Sequence, residues 1–342
     1  MQAVKKQPKI RTKATHLCPN CFQTLDRNGL CVYCAKHCTE FDNPNNTLPI
    51  YTVLKNGEYV IGKVLGQGGF GITYKAYNLF TGHVVAIKEF FPKGYVKRTF
   101  QATSVYIQPE HQPAFQHWLM AFVKEAQILM HIRELRGVVK MTDFFQENDT
   151  AYIVTNFMDG MPLRTYINKL GGRVHWRDAL NILRPVFDSL YTLHDNGIIH
   201  NDISPENIMV VQNKYVKLID FGAACLFKQP SFKPYVVLKK GYSPIESYSD
   251  AYPKGPWTDI YQAVATLFNI ICADTPPEAP IRARVDQLRK PSLYGLKMPL
   301  IIENTILKAL KVCPKDRYQT TLQLIQNLYG EILPFFPKAV VR

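Results

Sequence analysis

An α+β chain, in which a small cysteine-held ribbon precedes a β-rich lobe and then a helical lobe, is what this sequence predicts. Three observations carry that reading. Four cysteines stand as two Cys-x-x-Cys pairs within residues 18–34. Four β-branched or aromatic runs, bounded by glycines and turn residues, fall between Val60 and Thr155. Long segments with a helical apolar period then occupy Asp178 to Tyr329.

The ribbon comes first. Cys18-Pro-Asn-Cys21 is separated by nine residues from Cys31-Val-Tyr-Cys34. That spacing suits a tetrahedral site of four thiolates. Some twenty residues cannot build a core, so a metal would replace it. Asn28-Gly29 lies midway and suits the turn of a β-hairpin. Structural Zn2+ on Cys18, Cys21, Cys31 and Cys34 is the expectation; an iron centre on the same ligands, or free thiols, are the alternatives. His37 and Cys38 are read as bystanders, because four thiolates already close the shell. With only Phe22 and Tyr33 as stacking aromatics, the ribbon offers a weak case for nucleic acid, and its partner is either a protein or a nucleic acid.

Charge and hydropathy narrow the class. The formal net charge is +14, and Lys5, Lys6, Lys9, Arg11 and Lys13 make a basic leader with no acid before Asp26. Such a leader reads as a solvated tail, or as an attraction to nucleic acid, anionic lipid or an acidic partner. No run of eighteen apolar residues occurs, so no membrane span is expected, and the first residues lack a secretory apolar core. A cytoplasmic location follows as the expectation. Division of the chain is read as a leader 1–15, a zinc ribbon 16–40, a linker 41–57, a first lobe 58–158, a second lobe 159–332 and a tail 333–342.

The first lobe opens on Val60-Ile-Gly-Lys-Val-Leu65, a strand pattern. Gly66-Gln-Gly68-Gly-Phe-Gly71 follows, and Ile72 to Tyr77 reads as a second strand. A glycine triplet between strands is a hairpin whose bare backbone can close over phosphates. Val85-Ala-Ile-Lys88 ends another strand on a single lysine, placed to meet α- and β-phosphates. A lysine in that role needs a carboxylate. Glu125, inside the helical run that begins at Phe122, is the candidate, with Glu134 as its competitor. Thr150 to Asn156 reads as a strand leading through Met158 to Gly160, a connector whose backbone can hydrogen-bond an adenine.

The second lobe carries the acids. Asp178 to His194 is an amphipathic helix in which Pro185 is expected to introduce a kink. It leads to His200-Asn-Asp202, with Asn207 five residues after the aspartate and Asp220-Phe-Gly222 beyond that. Phosphoryl transfer needs a carboxylate beside the acceptor hydroxyl and hard oxygen ligands for magnesium. Asp202 suits the first task; Asn207 and Asp220 suit the second. Asp259 to Ile271 is apolar nearly all round, as a buried central helix is. Glu303–Lys311 and Thr320–Tyr329 read as closing helices.

Together, Gly66-x-Gly68-x-x-Gly71, Val85-Ala-Ile-Lys88, His200-Asn-Asp202-(four)-Asn207 and Asp220-Phe-Gly222 resemble a bacterial protein kinase of the eukaryotic-like (Hanks) type, over roughly residues 58–332. Gly241-Tyr-Ser-Pro244-Ile-Glu246 resembles the close of the activation segment, and Pro314-Lys-Asp-Arg317 resembles the late motif whose arginine pairs with that glutamate. The resemblance implies a two-lobed kinase fold. It implies ATP bound at Gly66, Gly68, Gly71, Ala86, Lys88, Thr155, Asn156 and Met158, and Mg2+ or Mn2+ held by Asn207 and Asp220. It implies transfer of the γ-phosphate to Ser/Thr hydroxyls of protein substrates, the chain itself included, with Lys88, Glu125, Asp202, Asn207 and Asp220 as the catalytic set. The competing readings are a kinase of small molecules and a nucleotide-binding pseudokinase scaffold whose ribbon recruits a partner.

Two departures from the pattern are informative. Asn201 stands where the family has the arginine that meets an activation-segment phosphate, and a neutral amide cannot make that ion pair. Activation is therefore expected not to need phosphate at that pocket. Replacing Ser231 and Tyr235 together would test this, a large loss of initial rate counting against it. Ser204 stands where many serine/threonine kinases place a γ-phosphate lysine, and it donates only a neutral hydrogen bond. Either the rate is lower or another cation serves.

Overall fold

The computed structural model describes residues 15–99, 101–132, 135, 137–211, 215–227, 238–249 and 251–330. They form two compact units. Unit 1 holds the residues up to Gln127 and Met141–Phe157; unit 2 holds Ile128–Lys140 and the residues from Met158 on.

Unit 1 begins with the ribbon hairpin, β1 (Leu30–Cys31) against β2 (Lys36–His37). Its main element is a six-stranded antiparallel sheet. In spatial order the strands are β3 (Val53–Leu54), β4 (Tyr59–Gln67), β5 (Gly71–Asn78), β6 (Val84–Phe90), β10 (Thr150–Asn156) and β9 (Met141–Glu147). A small pair, β7 (Val96–Lys97) and β8 (Tyr106–Ile107), follows β6. Side chains alternate in β5 and β6 as the pleat requires. Ile72, Tyr74, Val85, Ile87 and Glu89 are buried on one face, while Thr73, Lys75, Ala86 and Lys88 lie half-buried on the other.

Residues 41–57, read from the sequence as a linker, instead join this sheet. They contribute β3, and they are pinned by a buried polar cluster that no residue pattern announced. Glu89 is fully buried. It accepts from Tyr74 Oη at 2.8 Å, from Tyr152 Oη at 2.9 Å and from the Arg98 guanidinium. Arg98 also donates to the Asn46 carbonyl at 2.8 Å, and the Leu48 amide donates to Tyr74 Oη at 2.9 Å. Each buried polar atom in the cluster thereby has a partner, which is the condition for burying it at all.

The ribbon packs on β4. Pro19 O accepts from the Lys63 amide at 3.1 Å, and Leu17 O accepts from Tyr51 Oη at 2.9 Å. Phe22 stacks on Tyr77 with ring centroids 5.5 Å apart. Gly62 permits this approach, because a Cβ there would stand 2.3 Å from Pro19 O and 2.7 Å from the Phe22 ring. Phe22 is thus spent on packing and is not a stacking platform for a base; Tyr33 remains exposed.

Helix α1 (Gln112–His131) starts ten residues before the apolar face visible in the sequence, with Pro113 in its first turn. Unit 2 contains α2 (Leu163–Lys169), α3 (Trp176–Asp195), α4 (Pro256–Cys272), α5 (Ala279–Arg284), α6 (Leu300–Ala309) and α7 (Thr321–Tyr329). It also contains the small sheet β11 (Gly160–Pro162), β13 (Ile208–Val211), β14 (Val216–Leu218), and the pair β12 (Ile198–Ile199) with β15 (Cys225–Leu226). Helix α3 runs through Pro185 as one element, and Ser189 Oγ donates to the Pro185 carbonyl at 2.6 Å. Helix α4 is buried from Thr258 to Cys272, as its apolar circumference requires.

Candidate active site

The glycine loop joins β4 to β5. Gly68 N donates to Gly71 O at 2.9 Å, closing the turn. A Cβ on Gly66 would meet nothing and one on Gly68 only Gly71 O at 3.9 Å, so bare backbone at both is not demanded by packing and suits close approach by a ligand. Gly71 differs: a Cβ there would lie 2.8 Å from Glu89 O, so strand pairing itself requires glycine. Between them, Phe70 meets Trp118 of α1 edge-on at 5.4 Å, tying the loop to that helix.

Lys88 lies opposite Thr73 of β5 and Ile153 of β10. Its Nζ donates to Glu125 Oε1 at 2.8 Å and Oε2 at 3.1 Å. Glu125 is buried on α1, so an unpaired carboxylate there would be costly. The expected pairing of Lys88 with Glu125 is what the structure shows; Glu134 lies outside the described residues. Ala86 pairs with Thr155 and Val85 with Asn156, so Ala86 and Thr155 share the half-buried face with Lys88. Met158 belongs to unit 2, just ahead of β11.

In unit 2 a hairpin brings two candidates together. Ile208 of β13 pairs with Leu218 of β14, so Asn207 precedes one strand and Asp220 follows the other. The Ile219 amide donates to Asn207 O at 3.0 Å across the ends. Asn207 Nδ2 donates to Asp202 Oδ2 and to the Asp202 carbonyl, each at 2.8 Å. Its amide oxygen thereby faces away from the aspartate and is available to a cation. Asp220 sits at φ 61° and Asn201 also at φ 61°, left-handed backbone held at functional positions.

Helix α4 fixes the loop that bears Asp202. Asp259 accepts from the amides of His200 at 2.8 Å and Asn201 at 2.7 Å. Gln262 accepts from the Ile203 amide at 3.0 Å and donates to the Asn201 carbonyl at 3.1 Å. Sequence analysis, reading Asp259 to Ile271 as apolar nearly all round, assigned Gln262 no role. Its signal was that very position: a polar side chain in a fully buried helix needs partners, and here they are the backbone of the loop that bears Asp202. His200 Nε2 donates to Ile219 O at 3.2 Å, and complete burial keeps its imidazole pKa low and the ring neutral.

Asn201 Nδ2 donates to the Ala223 carbonyl at 3.2 Å, so the side chain in the arginine position serves a short link within unit 2. Ser231 and Tyr235 lie outside the described residues. The close of the segment is firmly held. Arg317 forks onto Glu246 at 2.7 and 3.0 Å with both side chains fully buried, and Thr258 Oγ1 adds a third bond at 3.0 Å.

Burial raises the Asp202 carboxyl to about 6, with Lys239 opposing the shift and Asp220 adding to it. Lys239 Nζ stands 2.7 Å from Asp202 Oδ1. No sequence signal named Lys239, which lies in a turn far along the chain.

The four ribbon thiols lie within 4.8 Å of one another, with Cys21 and Cys31 Sγ 3.4 Å apart and Cys18 and Cys34 Sγ 4.0 Å apart. A tetrahedron with metal–sulfur bonds of about 2.3 Å has edges of roughly 3.8 Å, so the cage fits one ion. Asn20 Nδ2 donates to Cys34 Sγ at 3.1 Å, as a bound thiolate would want. His37 and Cys38 stand outside this group; His37 bonds the Asn28 carbonyl and Thr39 instead.

Comparison with known proteins agrees with this geometry. The protein kinase domain model matches residues 59–328. The chain belongs to the protein kinase family. Several of the proteins it resembles are named serine/threonine-protein kinases. Serine/threonine-protein kinase PrkC of Bacillus subtilis is 28% identical over 274 residues, covering 78% of this chain and 39% of that protein. A probable serine/threonine-protein kinase of Clostridium acetobutylicum is 26% identical over 287 residues, covering 82% of this chain and 40% of its own. The chain thus spans about two fifths of the length of these relatives. Among solved structures, PpkA-294 in its apo form is similar with a TM-score of 0.72 and 31% identity, over 83% of this chain and 99% of that one. In this kinase domain no described helix is long and apolar enough to cross a membrane.

Proposed function

We propose that this kinase domain transfers the γ-phosphoryl group of ATP to serine or threonine hydroxyls of protein substrates, itself among them. The observation that carries the reading is the loop at Asp202. A buried carboxylate is oriented by Asn207, has a pKa raised by burial, and is fixed from below by Asp259 and Gln262. Unit 1, by itself, holds a lysine gripped by a buried glutamate.

In the reaction, Lys88 binds the α- and β-phosphates, and Glu125 keeps its ammonium from folding away. The amides of Gly66 to Gly71 cover the phosphates. Asp202 accepts the proton of the acceptor hydroxyl, and a pKa near 6 makes it a better acceptor than an ordinary carboxylate while leaving it ionised at neutral pH. Asn207 and Asp220 would hold a magnesium or manganese ion, whose charge neutralises the transferring phosphoryl group when bound. Ala86, Thr155, Asn156 and Met158 would meet the nucleotide base. The cysteine cage would hold zinc as a structural ion, and four thiolate ligands suit a reducing cytoplasm.

The test is incubation with γ-labelled ATP, magnesium and generic acceptor proteins beside an Asp220→Ala control. Label on serine and threonine in the wild type alone supports the reading. Bound ATP without any transfer would point to the scaffold.

A further inference from the structure

Ser204, two residues past Asp202, cannot carry a charge, yet phosphoryl transfer beside Asp202 develops negative charge that a nearby cation would stabilise. The structure places an ammonium there from another part of the chain. Lys239 Nζ is 2.7 Å from Asp202 Oδ1 and donates to Ser204 Oγ at 3.1 Å. The serine thus does not replace a lysine; it receives one.

Lys239 is held for this reach. Its amide donates to Ser243 Oγ at 2.8 Å, and its carbonyl accepts from the amides of Tyr242 and Ser243 at 3.0 and 2.9 Å. The turn is wedged at Gly241, φ 79°, where a Cβ would stand 2.7 Å from Thr275 and 2.8 Å from the Pro276 carbonyl. It is also tied to the catalytic loop: Arg164 donates to Tyr242 Oη at 2.6 Å and to Glu206 at 3.0 Å. The Lys239 side chain is 25% exposed. Its two acceptors leave a third N–H of the ammonium for a phosphoryl oxygen.

We propose that Lys239 is a catalytic cation of the transfer, supplying from the turn 239–243 the charge that position 204 lacks, so that the rate depends on this turn being in place. The proposal rests on the kinase reading. As the acceptor oxygen bonds to the γ-phosphorus and the bond to ADP breaks, the hydroxyl proton passes to Asp202, and Lys239 turns from that carboxylate to the phosphoryl oxygens.

Three variants in the full chain test it: Lys239→Met, Lys239→Arg and Ser204→Lys/Lys239→Thr. Lys239→Met is expected to lower kcat by about 100-fold, the loss typical of one preorganised charge donor. Affinity for magnesium ATP, read by calorimetry, should stay within about threefold, because the interaction is made in the transition state. Lys239→Arg should retain most of the rate. The double variant, with the charge moved back to position 204, should recover kcat to within about tenfold of the wild type. A Lys239→Met chain as fast as or faster than wild type would show the contact to be dispensable or an inhibitory strap, and would overturn the proposal. So would a loss that neither the arginine nor the double variant rescues. A wild type that transfers no label, beside an inert Asp220→Ala control, would instead sink the kinase reading itself.

Discussion

Lys88 in unit 1 and Lys239 in unit 2 each meet a buried carboxylate at hydrogen-bond distance, but they get there by different routes. Lys88 sits on a strand whose register with both neighbours is fixed by backbone hydrogen bonds, and its partner stands on a helix. Lys239 sits on a turn, and its partner lies in a loop held by side chains of α4. Regular elements let the first pair be inferred from residue pattern alone. The second pair depends on buried polar atoms whose partners no periodicity reveals. A charge on a strand is fixed by the sheet, whereas a charge on a turn is only as well placed as the contacts that hold the turn.

That contrast can be broken at several points. Glu246→Ala should have the largest effect, because it strands the Arg317 guanidinium in a buried site. A loss of about 3–5 kcal/mol in thermal or urea unfolding is expected, and a loss below 1 kcal/mol would mean that this pair does not secure the close of the segment. Lys88→Met should lower kcat/KM by about 10²–10³-fold, on the scale of one electrostatic donor, with Glu125→Gln following in the same direction. Near-normal turnover in Lys88→Met would remove unit 1 from the account.

Gly62→Val should be smaller. The added side chain meets Pro19 O and the Phe22 ring, so the ribbon must shift, at a cost of about 1–3 kcal/mol. Hydrogen exchange in residues 17–34 should rise while the metal content of the chain stays that of the wild type. Unchanged exchange would mean that the ribbon does not rest on β4.

The smallest effect is the pH response. With Asp202 raised to about 6, kcat/KM should fall about tenfold per pH unit below that value, as the base is lost to protonation. Lys239→Met should move this limb upward, since the opposing ammonium is gone. Stability runs the other way. The folded-state pKa exceeds the unfolded one, so the folded chain takes up a proton between about pH 4 and 6. Ionised Asp202 therefore costs stability above that window, and the cost is relieved as pH falls through it. An acid limb unmoved by Lys239→Met would show that the ammonium does not govern Asp202.

The sequence was most readable where residue type and spacing alone define a role. Gly66 to Gly71, Lys88, Asp202, Asn207 and Asp220 each emerged from a short string, and so did the four-cysteine cage. It was least readable where partners lie far apart in the chain. Gln262 and Glu89 were assigned no role, and residues 41–57 were read as a linker. Each is explained by a buried polar group finding its partner, which depends on three-dimensional proximity and leaves no period behind. Ser204 was the useful exception: its missing charge raised the question that Lys239 answers.

The most direct test of the account is the split between binding and turnover in Asp202→Asn. The change keeps size and neutral hydrogen bonding but removes the proton acceptor. Phosphoryl transfer should fall by about 10²–10⁴-fold, while magnesium ATP measured by calorimetry still binds within about threefold of the wild type. Turnover preserved in Asp202→Asn, or a wild type that binds ATP and transfers nothing, would contradict it.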